Sequence, residues 1–152
     1  MPSRPNILIM IPHDLGDFLG CMGHADVSSP HLDRMARRGV CFTNCFTTSP
    51  ECTPSRGGLM TGRYPHQNGL MGLSNFGWSL QVPHLAAVLR DLGYETHLFG
   101  FQHETHHPPE TLGYQEWHSR ENFHAASVCA ALREFLETPR DEESPPWFAY
   151  AG

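Results

Sequence analysis

The sequence predicts an α/β protein with a mainly parallel central sheet flanked by helices. Two observations predict it. Short apolar runs of strand length, at residues 6–11, 94–99 and Trp147–Ala151, alternate with longer stretches whose apolar residues recur at helical spacing. Strands separated by helices build βαβ units, and such units demand parallel pairing. No internal repeat and no low-complexity tract interrupts the pattern.

Residues 6–11 are apolar on both faces and predict a buried strand, with Pro12-His13-Asp14-Leu15-Gly16 as the turn at its C-terminal end. Pro30–Arg38 predicts a helix capped by Ser29, with Pro30 in its first position and Asp33 in its first turn. Gly39 ends it, just after Arg37 and Arg38, whose charges suit a helix C-terminus. Residues 40–46 predict a short strand or extended segment, in which Cys41 and Cys45 are structural beside Phe42 and Phe46. A second helix is expected over 54–61, closed by Gly62, and a glycine-rich loop over 64–79. Leu85, Val88, Leu89 and Leu92 fall on one face of a helix over 83–92. Residues 94–99 form the next strand, 103–118 an irregular stretch, and 122–137 a long amphipathic helix. A charged linker over 138–146 leads to the last strand, Trp147–Ala151. In α/β folds the loop leaving such a strand collects site residues. The chain stops at that strand, so residues 1–152 are expected to be a fragment of something larger.

Composition excludes several classes. A length of 152 residues suits one domain with a sizeable core. A net charge of −6 argues against a nucleic-acid binder, which needs a basic face. All 10 basic residues are arginine, so any anion must be met without lysine. No run approaches the roughly 18 apolar residues of a membrane helix, and Met1-Pro2-Ser3-Arg4-Pro5 starts no signal peptide. Five cysteines without a CxxC pair read as reduced thiols, with a cytoplasmic location as the expectation.

The most informative stretch is Cys52-Thr53-Pro54-Ser55-Arg56-Gly57-Gly58-Leu59-Met60-Thr61-Gly62-Arg63. A cysteine stands at a helix start, where free N–H groups and the positive dipole end receive an anion. Arg56 adds a planar donor fork suited to a tetrahedral oxyanion. Taken alone, these residues are more often a buried structural cysteine with an arginine in a surface pair. His103-Glu104-Thr105-His106-His107 is rich in ligand types but lacks HExxH spacing, and reads as a solvated loop apart from His103.

The whole string, C-x-P-S-R followed by L-x-T-G-R, resembles the signature of the type I, formylglycine-dependent sulfatases. The resemblance extends to Arg4-Pro5-Asn6-Ile7-Leu8-Ile9 with His13-Asp14, to Ser29 through Ala36, to Gly39 through Asn44, and to residues 85–100. His66-Gln67-Asn68-Gly69 and the run to Leu73 are nearest in flavour to the heparan N-sulfatase branch. The resemblance implies an alkaline-phosphatase-like fold, with residues 1–152 as the N-terminal part of a single catalytic domain, and a hydrolase of sulfuric esters or sulfamates. It implies that Cys52 is oxidised to formylglycine by a formylglycine-generating or anaerobic maturating enzyme, and that the hydrated aldehyde is the nucleophile. Arg56 would hold the modified side chain and offset charge, and His103 would assist proton transfer. A divalent metal, Ca²⁺ by its preference for oxygen, would be held at Asp14 and residue 52, with His13 beside it. The substrate would be a sulfated small molecule or sugar, with neither nucleic acid nor membrane as a partner.

Two positions depart from the family pattern. His13 stands where an aspartate is usual, and an imidazole suits a supporting hydrogen bond or a softer metal better than Ca²⁺. Phe101 stands where many members carry a sulfate-binding lysine, while His103 is retained. Two other readings stay open. Phosphonate monoester and phosphodiester hydrolases of the same superfamily share C-x-P-S-R. A truncated, non-catalytic domain that binds a metal or a partner chain is the other.

Overall fold

The structure, a computed structural model, describes residues 4–119 and 121–152. Residues 1–3, read above as part of a leaderless start, lie outside the described residues. The elements in chain order are β1 (Ile7–Met10), α1 (Pro30–Arg38), α2 (Cys52–Thr61), α3 (Pro65–Asn68), α4 (Leu85–Asp91), β2 (Glu95–Phe99), β3 (Glu116–His118), α5 (Ala125–Glu137) and β4 (Trp147–Ala151). They fall into two compact units, one of Met1–Ile11 with Thr47–Gly152, the other Pro12–Phe46.

The larger unit is built on a four-stranded sheet in the order β1-β4-β2-β3, every pair parallel. The parallel α/β expectation therefore holds. β4 is central: Ala151 pairs with Met10 on one side and Phe99 on the other. Side chains alternate across a strand, so β4 serves two cores. Phe148 and Tyr150 pack with Leu98, Met60 of α2, and Ala86 and Leu89 of α4. Ala149 and Ala151 pack with Phe99, and with Val128 and Leu132 of α5. Parallel strands place all their C-terminal ends on one edge, where the loop after β2 begins at Gly100. A Cβ on Gly100 would lie 2.1 Å from the carbonyl oxygen of Gly152, and its φ is +84°, so only glycine fits.

The structure corrects several expectations. β1 is not buried on both faces; it is an edge strand whose Leu8 and Met10 are exposed. Residues 40–46 form no strand, and Cys41, Cys45, Phe42 and Phe46 are exposed. That segment has no ladder partner to bury its apolar residues. α2 begins at Cys52 itself rather than at Pro54, and α5 begins at Ala125 rather than residue 122. The stretch expected to be irregular contains β3, which completes the sheet edge beside β2. The short helix α3 stands inside the glycine-rich loop.

In the smaller unit, Ser29 does not cap α1. Its hydroxyl donates to Asp33 Oδ1 at 2.7 Å and accepts from the Gly20 N–H at 2.8 Å. The Cys21 N–H reaches the same Asp33 oxygen at 2.9 Å. Asp33 and Ser29 thus tie the Gly20–Met22 turn to the start of α1. No residue of 12–46 is fully buried.

His84 caps α4: its Nδ1 accepts the Ala86 N–H at 3.1 Å. Burial pushes its pKa from 6.5 down to about 4. The folded pKa is depressed, so the unfolded chain takes up a proton first as pH falls. Stability contributed by neutral His84 is present above pH 6.5 and is lost towards pH 4, a loss of roughly 3 kcal/mol. His84→Asn keeps a capping oxygen and removes the titration. Urea unfolding from pH 7 to pH 4 should show a smaller loss in the variant than in the parent; equal losses would contradict the assignment.

Candidate active site

The site grows from the first turns of α2. Glu51, extended at φ −95°, leads into the helix without a side-chain cap. The helix must lie close to the chain before it. A Cβ on Gly58 would come 2.2 Å from Thr48 Oγ1, which accounts for a glycine in mid-helix despite its poor propensity. At the far end, Thr61 Oγ1 donates to the Gly57 carbonyl at 2.6 Å. Asn68, fully buried, donates to the Arg63 carbonyl at 3.1 Å and accepts the Leu70 N–H at 2.9 Å. The Gln-Asn-Gly run after the signature is therefore a structural brace for α2.

Cys52 and Arg56 are one turn apart on α2 and share a face. Cys52 is half-buried and a free thiol. Arg56 is only 5% exposed, which excludes the surface-pair reading. Its Nη1 donates to the Tyr150 hydroxyl. Its guanidinium lies 5.6 Å from the centre of the Phe101 ring and 6.0 Å from that of Tyr150. Phe101 therefore covers the arginine with the negative face of its ring.

His103 enters through the backbone. Thr53 Oγ1, on α2, donates to the His103 carbonyl at 2.6 Å and pins the loop after β2 to the helix start. The His103 ring packs against Phe101, 4.7 Å between centroids. The next residue corrects the solvated-loop expectation. Glu104 has no exposure at all, and its Oε2 accepts the His103 N–H at 2.8 Å. Its Oε1 and the hydroxyl of buried Tyr114 have no hydrogen-bond partner among the described residues. Burial raises the Glu104 carboxyl above its ordinary value, and the charge of Arg56 opposes that shift. Burial raises the Tyr150 hydroxyl as well, so it stays a neutral partner for Arg56 at physiological pH.

His13 and Asp14 belong to the Pro12–Phe46 unit, whereas Cys52, Arg56 and His103 belong to the other. Asp14 adopts φ 54°, a left-handed conformation that Asp tolerates better than most residues. Its Oδ2 lies 3.1 Å from His13 Nδ1, and its side chain is 85% exposed. The carboxylate is thus open and oriented, a fit for a hard cation, while the His13 nitrogen facing it acts on the carboxylate. Among the described residues no group of three or more His, Cys, Asp or Glu side chains is placed to hold a metal ion. Here Asp14 contributes one carboxylate, not a closed cage.

Sequence reasoning missed Thr53, Tyr150, Glu104 and Tyr114. Tyr150 sits in an apolar strand run, and its contact with Arg56 spans 94 positions, so no local signal marks it.

The sulfatase family model matches residues 5–149. The chain belongs to the sulfatase family. Human N-acetylgalactosamine-6-sulfatase is 32% identical over 158 residues, covering 93% of this chain and 30% of that protein. Human N-sulphoglucosamine sulphohydrolase is 33% identical, covering 97% of this chain and 31% of that protein. A protein solved with its substrate D-glucosamine-2-N,6-O-disulfate superposes with a TM-score of 0.79 at 23% identity, covering 97% of this chain and 34% of that one. The phosphonate monoester hydrolase of Agrobacterium radiobacter superposes with a TM-score of 0.73 at 23% identity, covering 97% and 40%. Both place the chain in the alkaline-phosphatase-like fold. The chain spans about a third of the length of these relatives.

Tyr150→Phe leaves the packing of this sulfatase-family chain intact but strips a buried guanidinium of its hydroxyl partner. It should cost about 1–3 kcal/mol in urea unfolding. A loss below about 0.5 kcal/mol, the scale of ordinary surface substitutions, would contradict the contact.

Proposed function

We propose that this chain carries the nucleophile and anion-binding part of a formylglycine-dependent hydrolase of sulfuric esters or sulfamates. The observation that carries the reading is the pairing of Cys52 with a buried Arg56 one turn later, within the residues that the sulfatase family model matches. Converted to formylglycine, residue 52 would supply a hydrated aldehyde. One hydroxyl, losing its proton, would bond to sulfur as the S–O or S–N bond breaks and the alcohol or amine leaves with a proton. The second hydroxyl, losing its proton in turn, would expel sulfate and restore the aldehyde.

The remaining work falls to the chain's own groups. The N-terminal end of α2 and the Arg56 fork face a singly charged tetrahedral group with fixed positive partners. Those partners cost no reorganisation as charge develops, because Tyr150 and Phe101 already hold Arg56 in place. His103, anchored through Thr53 and Glu104, is the candidate for moving a proton at the leaving oxygen or the nucleophile. Asp14 would hold a divalent cation, Ca²⁺ on its hard-oxygen chemistry, which would polarise the sulfate oxygens. His13 would orient that carboxylate rather than bind the ion. The substrates named for the relatives make a sulfated sugar one candidate class.

Co-expression with a formylglycine-generating enzyme tests the reading. Trypsin releases residues 39–56 as one peptide, and an aldehyde at position 52, captured by a hydrazide tag, is the expected result. An intact thiol would overturn the formylglycine reading. Any hydrolysis by the converted protein should favour 4-nitrophenyl sulfate over 4-nitrophenyl phenylphosphonate; the reverse order would assign the site to phosphonate chemistry.

A further inference from the structure

Glu104 is a buried acid with one oxygen that the proposed chemistry leaves unused. It has no exposure, although it stands in the loop after β2. Its two oxygens differ. Oε2 accepts the His103 N–H at 2.8 Å, whereas Oε1 has no hydrogen-bond partner among the described residues. A carboxylate sealed from water with one oxygen unmet is costly unless a cation offsets it. The groups that face it are Arg56 of α2, Tyr150 of β4 and Tyr114 of the segment before β3, with His103 from its own loop.

These groups form one buried cluster. Tyr150 holds the Arg56 guanidinium through its hydroxyl, and Tyr114 packs on Tyr150 at 6.4 Å between ring centroids. Tyr114 is 2% exposed, and its hydroxyl, like Glu104 Oε1, lacks a partner among the described residues. Burial raises both phenols, so they stay neutral at physiological pH. A guanidinium keeps its charge. Glu104 is therefore the buried acid of this cluster whose charge can change, and Arg56 is the cation that offsets it.

Arg56 is also the proposed anion donor. A tetrahedral anion there draws on the same positive charge and adds its own repulsion, which makes a carboxylate at Glu104 more costly. A proton on Oε1 removes the conflict. It lands on the oxygen with no N–H to lose, so Oε2 keeps the His103 N–H. We propose that Glu104 is a positioning residue of the anion site, taking up one proton from solvent when a tetrahedral anion binds at Arg56. The proposal rests on the reading of Arg56 as the anion donor. Linkage fixes the sign. If the anion raises the proton affinity of Glu104, protonated Glu104 raises the affinity for the anion. Anion affinity is greatest below the pH at which Glu104 loses its proton. It falls as pH rises through that point, by at most about tenfold per pH unit. Burial puts that point above the ordinary carboxyl range.

The test titrates inorganic sulfate into the whole chain by calorimetry from pH 5 to pH 8, in buffers of different ionisation enthalpy. Glu104→Gln keeps a carbonyl for the His103 N–H and fixes the side chain as neutral. The parent should take up a proton with sulfate that the variant does not. Its affinity should fall at least about fivefold more than the variant's over that range. His103 is present in both proteins, so the difference belongs to Glu104. A purely structural Glu104 would change the affinity equally at every pH. The parent also carries its own check. The glutamate carboxyl ¹³C resonance that titrates above the ordinary range should move towards its protonated position when sulfate is added at constant pH. Equal proton uptake with equal pH slopes, or a carboxyl resonance that ignores bound sulfate, would overturn the proposal and leave the anion reading standing. No sulfate binding by either protein would overturn the anion reading, and the proposal with it.

Discussion

Everything about this site depends on one buried cation. A guanidinium taken out of water is costly unless its donors are met and its charge is compensated. Arg56 meets that demand with a hydroxyl from the central strand, the faces of two aromatic rings and the field of a buried carboxyl group. None of these groups is an ordinary surface partner. The arrangement leaves Arg56 rigid without giving it a full ion pair, which is the condition for a preorganised anion donor.

The fold supplies that arrangement through β4. Because β4 is central, both its faces are buried, and alternation directs Tyr150 towards α2 and Ala149 towards α5. Because the strands are parallel, the chain leaving β2 emerges beside the start of α2, where Thr53 fastens it. Glycine is required where these segments touch, at Gly58 against Thr48 and at Gly100 against Gly152. The packing of a four-stranded sheet and the position of Cys52 are here one constraint seen at two scales.

That coupling explains what was legible in the sequence. Cys52 and Arg56 are four residues apart, and their place on one helix face is written locally. The α/β class follows from periodicity, and the Pro30–Arg38 helix from Pro30 and Gly39. Tyr150 and Glu104 were illegible because burial, not residue type, gives them their roles; Glu104 in a run of histidines looks solvated until the loop folds inward. The segment 40–46 erred the other way. Its phenylalanines have the composition of a strand, but pairing requires a neighbour, and they lie exposed. Ser29 looked like a cap by position, yet a carboxylate one turn on offered its hydroxyl a stronger acceptor.

The most direct measurement is ¹⁵N NMR of the arginine side chains, with Arg56 assigned by comparison with Arg56→Lys. Among 10 arginines, Arg56 should show guanidinium protons in slow exchange at neutral pH, and inorganic sulfate should shift its resonances. If Arg56 exchanged as fast as the exposed arginines and ignored sulfate, the buried, preorganised anion site at the heart of this account would be wrong.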